Sequence, residues 1–295
     1  MNKSTKLKGR SLLKLTDLTP DQLMYLLNLA TRLKEEKQKG VVTDKLCKKN
    51  IVLIFEKKST RTRCAFVVAA LDEGAGVETL GIDDIHLEKK ESIQDTARVL
   101  GRMFDGIAFR GFKQETVEAL ARYSGIPVWN GLTDKAHPTQ ALADLMTIHE
   151  YFKDFNGLKV VYIGDGSNNV CVSLMRGCAM AGAHFVDCTP ESLSPPKAVV
   201  KEALQIARST GGKLSICTDP TEAVHNANVI YTDVWTSMGQ EAQFSKRIQL
   251  LQPYQVNMHL MRQTGNLDSD RVIFLHCLPA LHNNQTELTR KLGAL

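Results

Sequence analysis

Short apolar segments recur along this chain and alternate with longer amphipathic segments. An apolar run between polar turns is typical of a strand that is buried on both faces, as strands of parallel sheets are. Parallel strands need a crossover connection, which is usually a helix. The pattern therefore predicts an α/β fold built on doubly wound parallel sheets. The candidate strands are 51–55, 106–109, a strand end at 128–129, 159–164, 184–188, 213–217, 228–234 and 272–276.

The length of 295 residues is more than one small core needs, so two domains are expected. The α/β series restarts at Lys159, just after a long amphipathic segment, Ala141–Phe155. We expect this segment to form a helix that bridges two domains. The predicted domains are residues 1–150 and 151–295, each with its own doubly wound sheet.

The composition, with 43% apolar and 23% charged residues, is that of an ordinary globular protein. No apolar run reaches the roughly 18 residues that span a bilayer. The basic N-terminus lacks the apolar core and cleavage site of a signal peptide. The net charge of +5 is small, and no basic block is interleaved with aromatic residues. We therefore expect anionic small-molecule partners, with no nucleic acid and no membrane.

The seven cysteines are odd in number, and no two are spaced C-x-x-C. A disulfide framework and a zinc ribbon are therefore both disfavoured, and no metal or cofactor is expected. Cys64 lies in the apolar segment CAFVVAA and is predicted to be a small core residue. The free thiols favour a reducing compartment, the cytoplasm.

A polar segment, Ser59-Thr60-Arg61-Thr62-Arg63, lies where the first strand gives way to a helix. The first amides of a helix have no internal acceptor, and the helix dipole adds positive charge at that end. Hydroxyls and guanidinium groups add donors at the same point, a combination that suits a phosphate group. The alternative is an ordinary surface helix with solvated arginines.

Two further segments support an anion site. Arg110 directly follows the apolar strand at 107–109, so its side chain is expected at the carboxyl end of a parallel sheet, where ligands of such folds bind. His137-Pro138-Thr139-Gln140 presents an imidazole and an amide at the start of the predicted bridging helix. A structural histidine is the alternative for His137.

With S-T-R-T-R after a strand and H-P-x-Q later, the chain resembles the aspartate and ornithine carbamoyltransferase family over nearly its whole length. The resemblance implies that carbamoyl phosphate is one substrate. It implies that the phosphate is held by Ser59, Thr60, Arg61 and Thr62. It implies that the carbamoyl group is addressed by Arg110, His137 and Gln140.

The segment Asp84–Lys90 is similar to the loop that, in this family, reaches into the site of a neighbouring subunit. His86 is the residue expected to contact carbamoyl phosphate there. The resemblance thus implies a homotrimer with sites at the subunit interfaces. The alternative is that the loop is a solvated charged turn.

Two segments of the second half indicate the acceptor. Asp233-Val-Trp-Thr-Ser-Met-Gly239 resembles the D-x-x-x-S-M-G loop of ornithine carbamoyltransferases, and His276-Cys-Leu-Pro279 matches their H-C-L-P. Both follow predicted strands. The resemblance implies transfer to the δ-amine of L-ornithine, giving L-citrulline and phosphate, in a reversible reaction that can run in the catabolic direction. It implies an ornithine site made of Asn169, Asp233, Ser237, Met238, Cys277 and Leu278.

The expected catalytic residues are Arg61, Arg110, His137, Asp233 and Cys277. The δ-amine is expected to attack directly, with no covalent enzyme intermediate, while Arg110, His137 and the Thr62 hydroxyl stabilise the developing oxyanion and Arg61 holds the departing phosphate. Cys277 is expected to orient the amine. It has no partner as a nucleophile except the adjacent His276, whose side chain is expected on the opposite face of the strand.

Other functions stay open on sequence grounds. Acceptors such as putrescine or an acylated ornithine are conceivable within the family. The segment Gly164–Asn169 departs from the dinucleotide fingerprint at its third glycine, which leaves a dehydrogenase a distant alternative. The family's closing helix, with its arginine, is not found before the last residue, Leu295, and is expected to be absent. That absence keeps a non-catalytic binding paralogue among the alternatives.

Overall fold

The structure is a computed structural model, and it describes residues 7–41, 43–87, 90–235, 244–280 and 285. Its first sheet has four parallel strands in the order β2-β1-β3-β4. The strands are β1 (Asn50–Phe55), β2 (Gly76–Gly81), β3 (Gly106–Arg110) and β4 (Val128–Leu132). The sequence did not predict β2, an edge strand whose residues are mostly half-exposed.

The second sheet has five parallel strands in the order β7-β6-β5-β8-β9. They are β5 (Lys159–Ile163), β6 (His184–Cys188), β7 (Lys213–Cys217), β8 (Val229–Thr232) and β9 (Ile273–His276). The predicted α/β fold with two doubly wound parallel sheets is confirmed. Each of these five strands lies within one or two residues of its predicted position.

Helices connect successive strands and cover both faces of each sheet. In the first half they are α1 (Pro20–Gln38), α2 (Arg61–Asp72), α3 (Ile93–Met103), α4 (Gln114–Ser124) and α5 (Pro138–Phe152). In the second half they are α6 (Asn169–Ala181), α7 (Lys197–Thr210), α8 (Pro220–Val224), α9 (Phe244–Leu251) and α10 (Met258–Arg262). In the part of the chain that the structure describes, no helix combines the length and the apolar character needed to cross a membrane.

The strand order reverses between β1 and β3 in the first sheet and between β5 and β8 in the second. At such a reversal the connecting helices lie on opposite faces of the sheet and leave a crevice at the carboxyl ends of the strands. The segments that follow β1, β3, β5 and β8 therefore surround two crevices. These segments carry most of the site residues predicted from the sequence.

Helix α5 joins the two halves and is buried between them. Its residues Leu145 and Ile148 pack in one core with Leu23 and Leu27 of α1 and with Leu174 of α6. The helix begins three residues before its predicted start. Gln140 therefore lies in its first turn.

Five of the seven cysteines are at least partly buried, but Cys47 and Cys64 are exposed. The prediction that Cys64 is a core residue is wrong. Helix α2 is apolar nearly all round, and the face that carries Cys64 points away from the sheet. The apolar sequence around Cys64 gave no sign of which face of the helix the sheet would cover.

The end of β6 buries a carboxyl group without an ionic partner. Asp187 is 0% exposed, its Oδ1 accepts a hydrogen bond from the Cys171 thiol at 3.5 Å, and its Oδ2 has no hydrogen-bond partner in the described structure. Burial raises the pKa of Asp187 to about 7. The folded state therefore favours the neutral acid, and ionisation weakens folding as the pH rises from about 4 towards 7.

We predict that Asp187→Asn gains stability over the wild type as the pH rises. The difference in melting temperature should move in favour of the variant by a few degrees between pH 5 and pH 8, corresponding to roughly 2 kcal/mol. Calorimetry at both pH values measures it, with Asp268→Asn as an exposed control. An equal difference at both pH values would contradict the assignment of a buried, ionising Asp187.

Candidate functional site

No side chain of the described residues caps the first amides of α2. Thr60 occupies the cap position, but its side chain makes no hydrogen bond to the amides of the first turn. Most capped helices use a side-chain oxygen there. The Ser59 and Thr60 hydroxyls and the first amides of a twelve-residue helix thus lie together at the carboxyl end of β1. This arrangement can bind an anion.

Arg110 ends β3 and brings a positive charge to the same place. Its Nη1 donates to Thr62 Oγ1 at 2.6 Å, while its Nε is buried and has no hydrogen-bond partner in the described residues. Burial and the neighbouring charge of Arg61 lower the pKa of Arg110 from its ordinary value. Two guanidinium groups that destabilise each other in this way favour an anion between them.

His137 is the N-cap residue of α5 and is 7% exposed. Its backbone N–H donates to Ser173 Oγ of α6 at 2.8 Å, which ties the start of the bridging helix to the second half. Burial, together with the charge of Arg110, lowers the pKa of the imidazole to about 3. The ring is therefore neutral at physiological pH and can donate one N–H without adding a charge.

Gln140 lies one turn into α5 and is partly exposed. Its Nε2 donates to Asp144 Oδ1 at 2.9 Å. Burial raises the pKa of Asp144 to about 7, an effect that the hydrogen bond from Gln140 opposes. The sequence alone does not indicate Asp144, since an aspartate in a helix is ordinarily solvated.

Lys57 is a second residue that the sequence analysis missed. Its Nζ lies 4.2 Å above the centre of the Phe112 ring. Burial and the charge of Arg110 lower the pKa of Lys57. Its place in the polar loop between β1 and Ser59 was the available signal. Lys57 is a third cation beside Arg110 at the carboxyl end of the first sheet.

In the second half, Asn169 is the first residue of α6. Its Nδ2 donates to the backbone oxygen of Thr133, which follows β4 in the first half. The cap of this helix is Asn168, whose side chain accepts from the Val170 amide at 2.8 Å. The amide of Asn169 therefore lies where the segments after β4 and β5 meet.

Asp233 and Cys277 form a hydrogen-bonded pair after β8 and β9. The Cys277 thiol donates to Asp233 Oδ1 at 2.9 Å, and the Val234 amide donates to the same oxygen at 2.7 Å. Burial raises the pKa of Asp233. Burial and the adjacent Asp233 raise the pKa of the Cys277 thiol well above its usual range. The thiol is therefore protonated at neutral pH and unsuited to nucleophilic attack.

His276 was predicted to point away from Cys277, and this is wrong. Strand β9 ends at His276, so the alternation of a strand does not extend to Cys277. Ligand atoms of Asp233, His276 and Cys277 lie within 4.8 Å of one another. Two ligands of a tetrahedral zinc ion are about 3.5 Å apart. The 2.9 Å between sulfur and oxygen is instead the length of a hydrogen bond.

Leu278 follows with a backbone that few residues adopt. Its φ of 59° lies in the left-handed region, and its N–H donates to His276 Nδ1 at 2.8 Å. This conformation costs a non-glycine residue about 1 kcal/mol or more and commonly marks a functional turn. The Leu278 side chain is 49% exposed.

Residues of the two crevices interact with each other. Arg110 from the first sheet interacts electrostatically with Cys277 from the second, and Asp144 of α5 interacts with Asp233. The cations Arg61 and Arg110 thus lie on one side, and the Asp233 carboxyl lies on the other. Such a site can bind an anion next to a cationic ligand.

Not every predicted residue joins this group. His86 is exposed, its carbonyl accepts from the Lys90 and Glu91 amides, and none of its contacts in the described chain reaches Arg61 or Arg110. Its predicted role in a neighbouring copy stays a prediction. Ser237 and Met238 lie outside the described residues. The prediction that the family's closing helix is absent also falls on residues outside those described.

Comparison with known proteins assigns both halves to one family. Residues 10–150 match the carbamoyl-P binding domain of aspartate/ornithine carbamoyltransferases, and residues 156–292 match their Asp/Orn binding domain. A catabolic ornithine carbamoyltransferase of Bacillus licheniformis is 55% identical over 286 residues, which are 97% of this chain and 84% of the relative. The ornithine carbamoyltransferase of Caldanaerobacter subterraneus is 53% identical over 95% of this chain and 88% of the relative.

Solved structures agree with the sequence relatives. The ornithine carbamoyltransferase from Pyrococcus furiosus has a TM-score of 0.88 and 44% identity, over 92% of this chain and 85% of that chain. The ornithine transcarbamoylase from Giardia lamblia has a TM-score of 0.81 and 32% identity, over 92% and 86%.

The hydrogen bond between Cys277 and Asp233 predicts how fast the thiol reacts with an alkylating reagent. Asp233→Asn removes the carboxylate charge that raises the pKa of Cys277, so iodoacetamide should modify Cys277 several-fold faster at pH 8 in the variant. Mass spectrometry of the alkylated peptides measures the rate, and exposed Cys64 is the internal control. Equal rates at Cys277 in both proteins would show that Asp233 does not hold this thiol.

Proposed function

Because this chain belongs to the aspartate/ornithine carbamoyltransferase family, we propose that its two crevices hold the two reactants of carbamoyl transfer side by side. The chain transfers the carbamoyl group of carbamoyl phosphate to L-ornithine, giving L-citrulline and phosphate. Residues 1–150 are assigned to carbamoyl phosphate and residues 151–295 to ornithine. The observation that carries the proposal is the cluster of Arg61, Arg110 and Thr62 at the open N-terminus of α2.

The phosphate of carbamoyl phosphate is placed at the N-terminus of α2. Its oxygens accept from the first amides of the helix, including that of Thr62, from the Ser59 and Thr60 hydroxyls and from Arg61. A dianion there relieves the repulsion between the guanidinium groups of Arg61 and Arg110. The helix dipole and the arginine charges act on the same phosphate oxygens, so the proposed binding of the phosphate needs no metal ion.

The carbamoyl group extends from the phosphate towards α5. Its oxygen lies between Arg110 and the imidazole of His137, and its NH2 group faces Gln140. The low pKa of His137 keeps the ring neutral, so the ring acts by hydrogen bonding. The three side chains are positioned before the substrate arrives, as stabilisation of a developing oxyanion requires.

Ornithine is placed against the second sheet. Its α-ammonium pairs with Asp233, whose buried carboxyl gains from a cationic partner. Its carboxylate is assigned to Asn169, and Ser237 and Met238 are proposed to contribute from outside the described residues. The δ-amine then extends towards Cys277 and Leu278, and so towards Arg110. Putrescine lacks the carboxylate, and an acylated ornithine lacks the α-ammonium, so each would leave part of this site unpaired.

The reaction needs the neutral form of the δ-amine. An amine with a pKa of about 10.4 is neutral in only about one molecule in 2,500 at pH 7, a penalty of roughly 4–5 kcal/mol. Desolvation in the crevice and the charge of Arg110 lower that pKa. The amine then attacks the carbamoyl carbon, and Arg110, His137 and Thr62 stabilise the oxyanion. The bond between the carbamoyl carbon and the phosphate oxygen breaks, and the phosphate departs towards Arg61 with the proton that the attacking nitrogen loses. The hydrogen bond to Asp233 holds the protonated Cys277 in place, and Cys277 in turn orients the δ-amine.

We predict that Arg61→Ala lowers citrulline formation by about 100-fold or more, because it removes a charged donor from the leaving phosphate. Arg32→Ala on the outer face of α1 is the matched control and should keep wild-type activity. A colorimetric assay for the ureido group of the product measures both with ornithine and carbamoyl phosphate, and it also detects the carbamoylated products of putrescine and N-acetylornithine, the alternative acceptors. Faster turnover of either alternative, or an active Arg61→Ala variant, would refute the proposed site.

We propose a homotrimer with shared sites, in which the outer face of α2 contacts a neighbouring copy. The outer face of this helix leaves Val68 44% and Leu71 58% exposed, beside the exposed Cys64. Exposed apolar side chains on one helix face commonly mark an interface between proteins. The face starts at the carbamoyl phosphate site, so a neighbouring copy packed there can bring its His86 to Arg61.

The seven free thiols suit a cytoplasmic location.

We predict that Leu71→Asp dissociates the assembly and lowers activity, because it places a charge in an apolar interface. Light scattering coupled to size exclusion should give about 98 kDa for the wild type, three times the 32.7 kDa of one chain, and a single-chain mass for the variant. Met258→Asp, at an equally exposed site on α10, should stay trimeric. A wild-type mass of one chain would contradict the proposal.

A further inference from the structure

Asp144 is a buried acid on the bridging helix that the proposed mechanism does not use. It lies one turn after Gln140, and its Oδ1 accepts a hydrogen bond from Gln140 Nε2 at 2.9 Å. Its side chain is buried in the core, with Leu145 and Ile148 as neighbours on the same helix. A buried carboxyl group is costly, so its place beside a site residue calls for a reason.

The hydrogen bond determines which end of the Gln140 amide faces the ligand. A glutamine amide carries a donor end and an acceptor end of nearly the same shape, and without a partner it can adopt either orientation. Because Nε2 donates to Asp144, the acceptor atom Oε1 is left for the open side of the first turn. The Gln140 side chain makes no other hydrogen bond in the described part of the chain.

The ligand chemistry matches this orientation. The carbamoyl group carries an NH2 group, whose two N–H donors need acceptors. An Oε1 facing this group accepts one of them, whereas an Nε2 in the same place would meet it donor to donor. An acetyl group, which has a methyl group in place of the NH2, gains nothing from Oε1.

We propose that Asp144 is a positioning residue that orients the Gln140 amide, so that its oxygen recognises the carbamoyl NH2 group and the site prefers carbamoyl phosphate to other acyl phosphates. This inference rests on the proposed role of Gln140. Asp144 does not touch the substrate and acts through Gln140.

The surroundings of Asp144 are consistent with this task. The titratable groups that interact with its carboxyl are Tyr231 of β8, Asp233 after β8, Cys277 after β9 and Cys178 of α6. Burial raises the pKa of Asp144 to about 7, yet both the acid and the carboxylate keep an oxygen lone pair for Gln140. Asparagine at this position also offers an oxygen, so Asp144→Asn is the conservative variant.

The test compares Asp144→Ala, Asp144→Asn, Gln140→Ala and the double variant Asp144→Ala/Gln140→Ala. For each, the KM for carbamoyl phosphate is measured together with the inhibition constant of acetyl phosphate. We expect Asp144→Ala to raise the KM about tenfold and to leave acetyl phosphate inhibition unchanged. Asp144→Asn should restore the KM, and the double variant should be no worse than Gln140→Ala. If Asp144→Ala does not fold, Asp144→Leu removes the acceptor while keeping a side chain that branches at the same carbon.

The outcomes separate this inference from the proposed function. If Asp144→Ala weakens acetyl phosphate and carbamoyl phosphate equally, or adds its full effect to Gln140→Ala, Asp144 has a structural role and the inference is overturned. In both cases the assignment of Gln140 stands. If Gln140→Ala leaves the KM for carbamoyl phosphate unchanged, the proposed role of Gln140 fails, and the inference fails with it.

Discussion

The partly buried guanidinium of Arg110 is the group on which the proposed site depends. It reaches the carboxyl end of β3, hydrogen-bonds Thr62, and has no hydrogen bond to a carboxylate among the described residues. Burial and the nearby charge of Arg61 both lower the pKa of Arg110. Cations held together in a partly desolvated crevice create a strong field, which only an anion of the right size can relieve. The parallel sheet makes this possible, because it delivers the ends of β1 and β3 to the same edge.

The second half supplies the opposite charge. Asp233 accepts hydrogen bonds from Cys277 and Val234 and remains an acceptor for an ammonium group. Helix α5 sets the distance between the two halves, since its N-terminus carries His137 and Gln140 while its body packs in the core of the second half. Positive charge therefore lies at one end of the site and the Asp233 carboxyl lies at the other. In the proposed arrangement an acyl phosphate binds at the cationic end and an amino acid with a side-chain amine binds at the acidic end, so that the reacting atoms meet between them.

The sequence predicted what local pattern controls. Apolar runs located the strands, and the position of Arg110 directly after one of them placed its side chain at the sheet edge. What failed depended on tertiary structure. The polar edge strand β2 pairs through its backbone, Cys64 is exposed because the sheet covers the other face of α2, and His276 turns towards Cys277 because β9 ends there. Lys57 and Asp144 gain their importance only from burial beside charges distant in sequence.

In the proposed mechanism the two substrates react directly with each other, without a covalent enzyme intermediate. Rapid-quench experiments with carbamoyl phosphate labelled at the carbamoyl carbon test it most directly. With enzyme alone, the label should stay in carbamoyl phosphate and none should be recovered on the protein. Once ornithine is added, the label should appear in citrulline with no lag. Label recovered on Cys277 or another side chain, transferred to citrulline at the rate of turnover, would contradict the account.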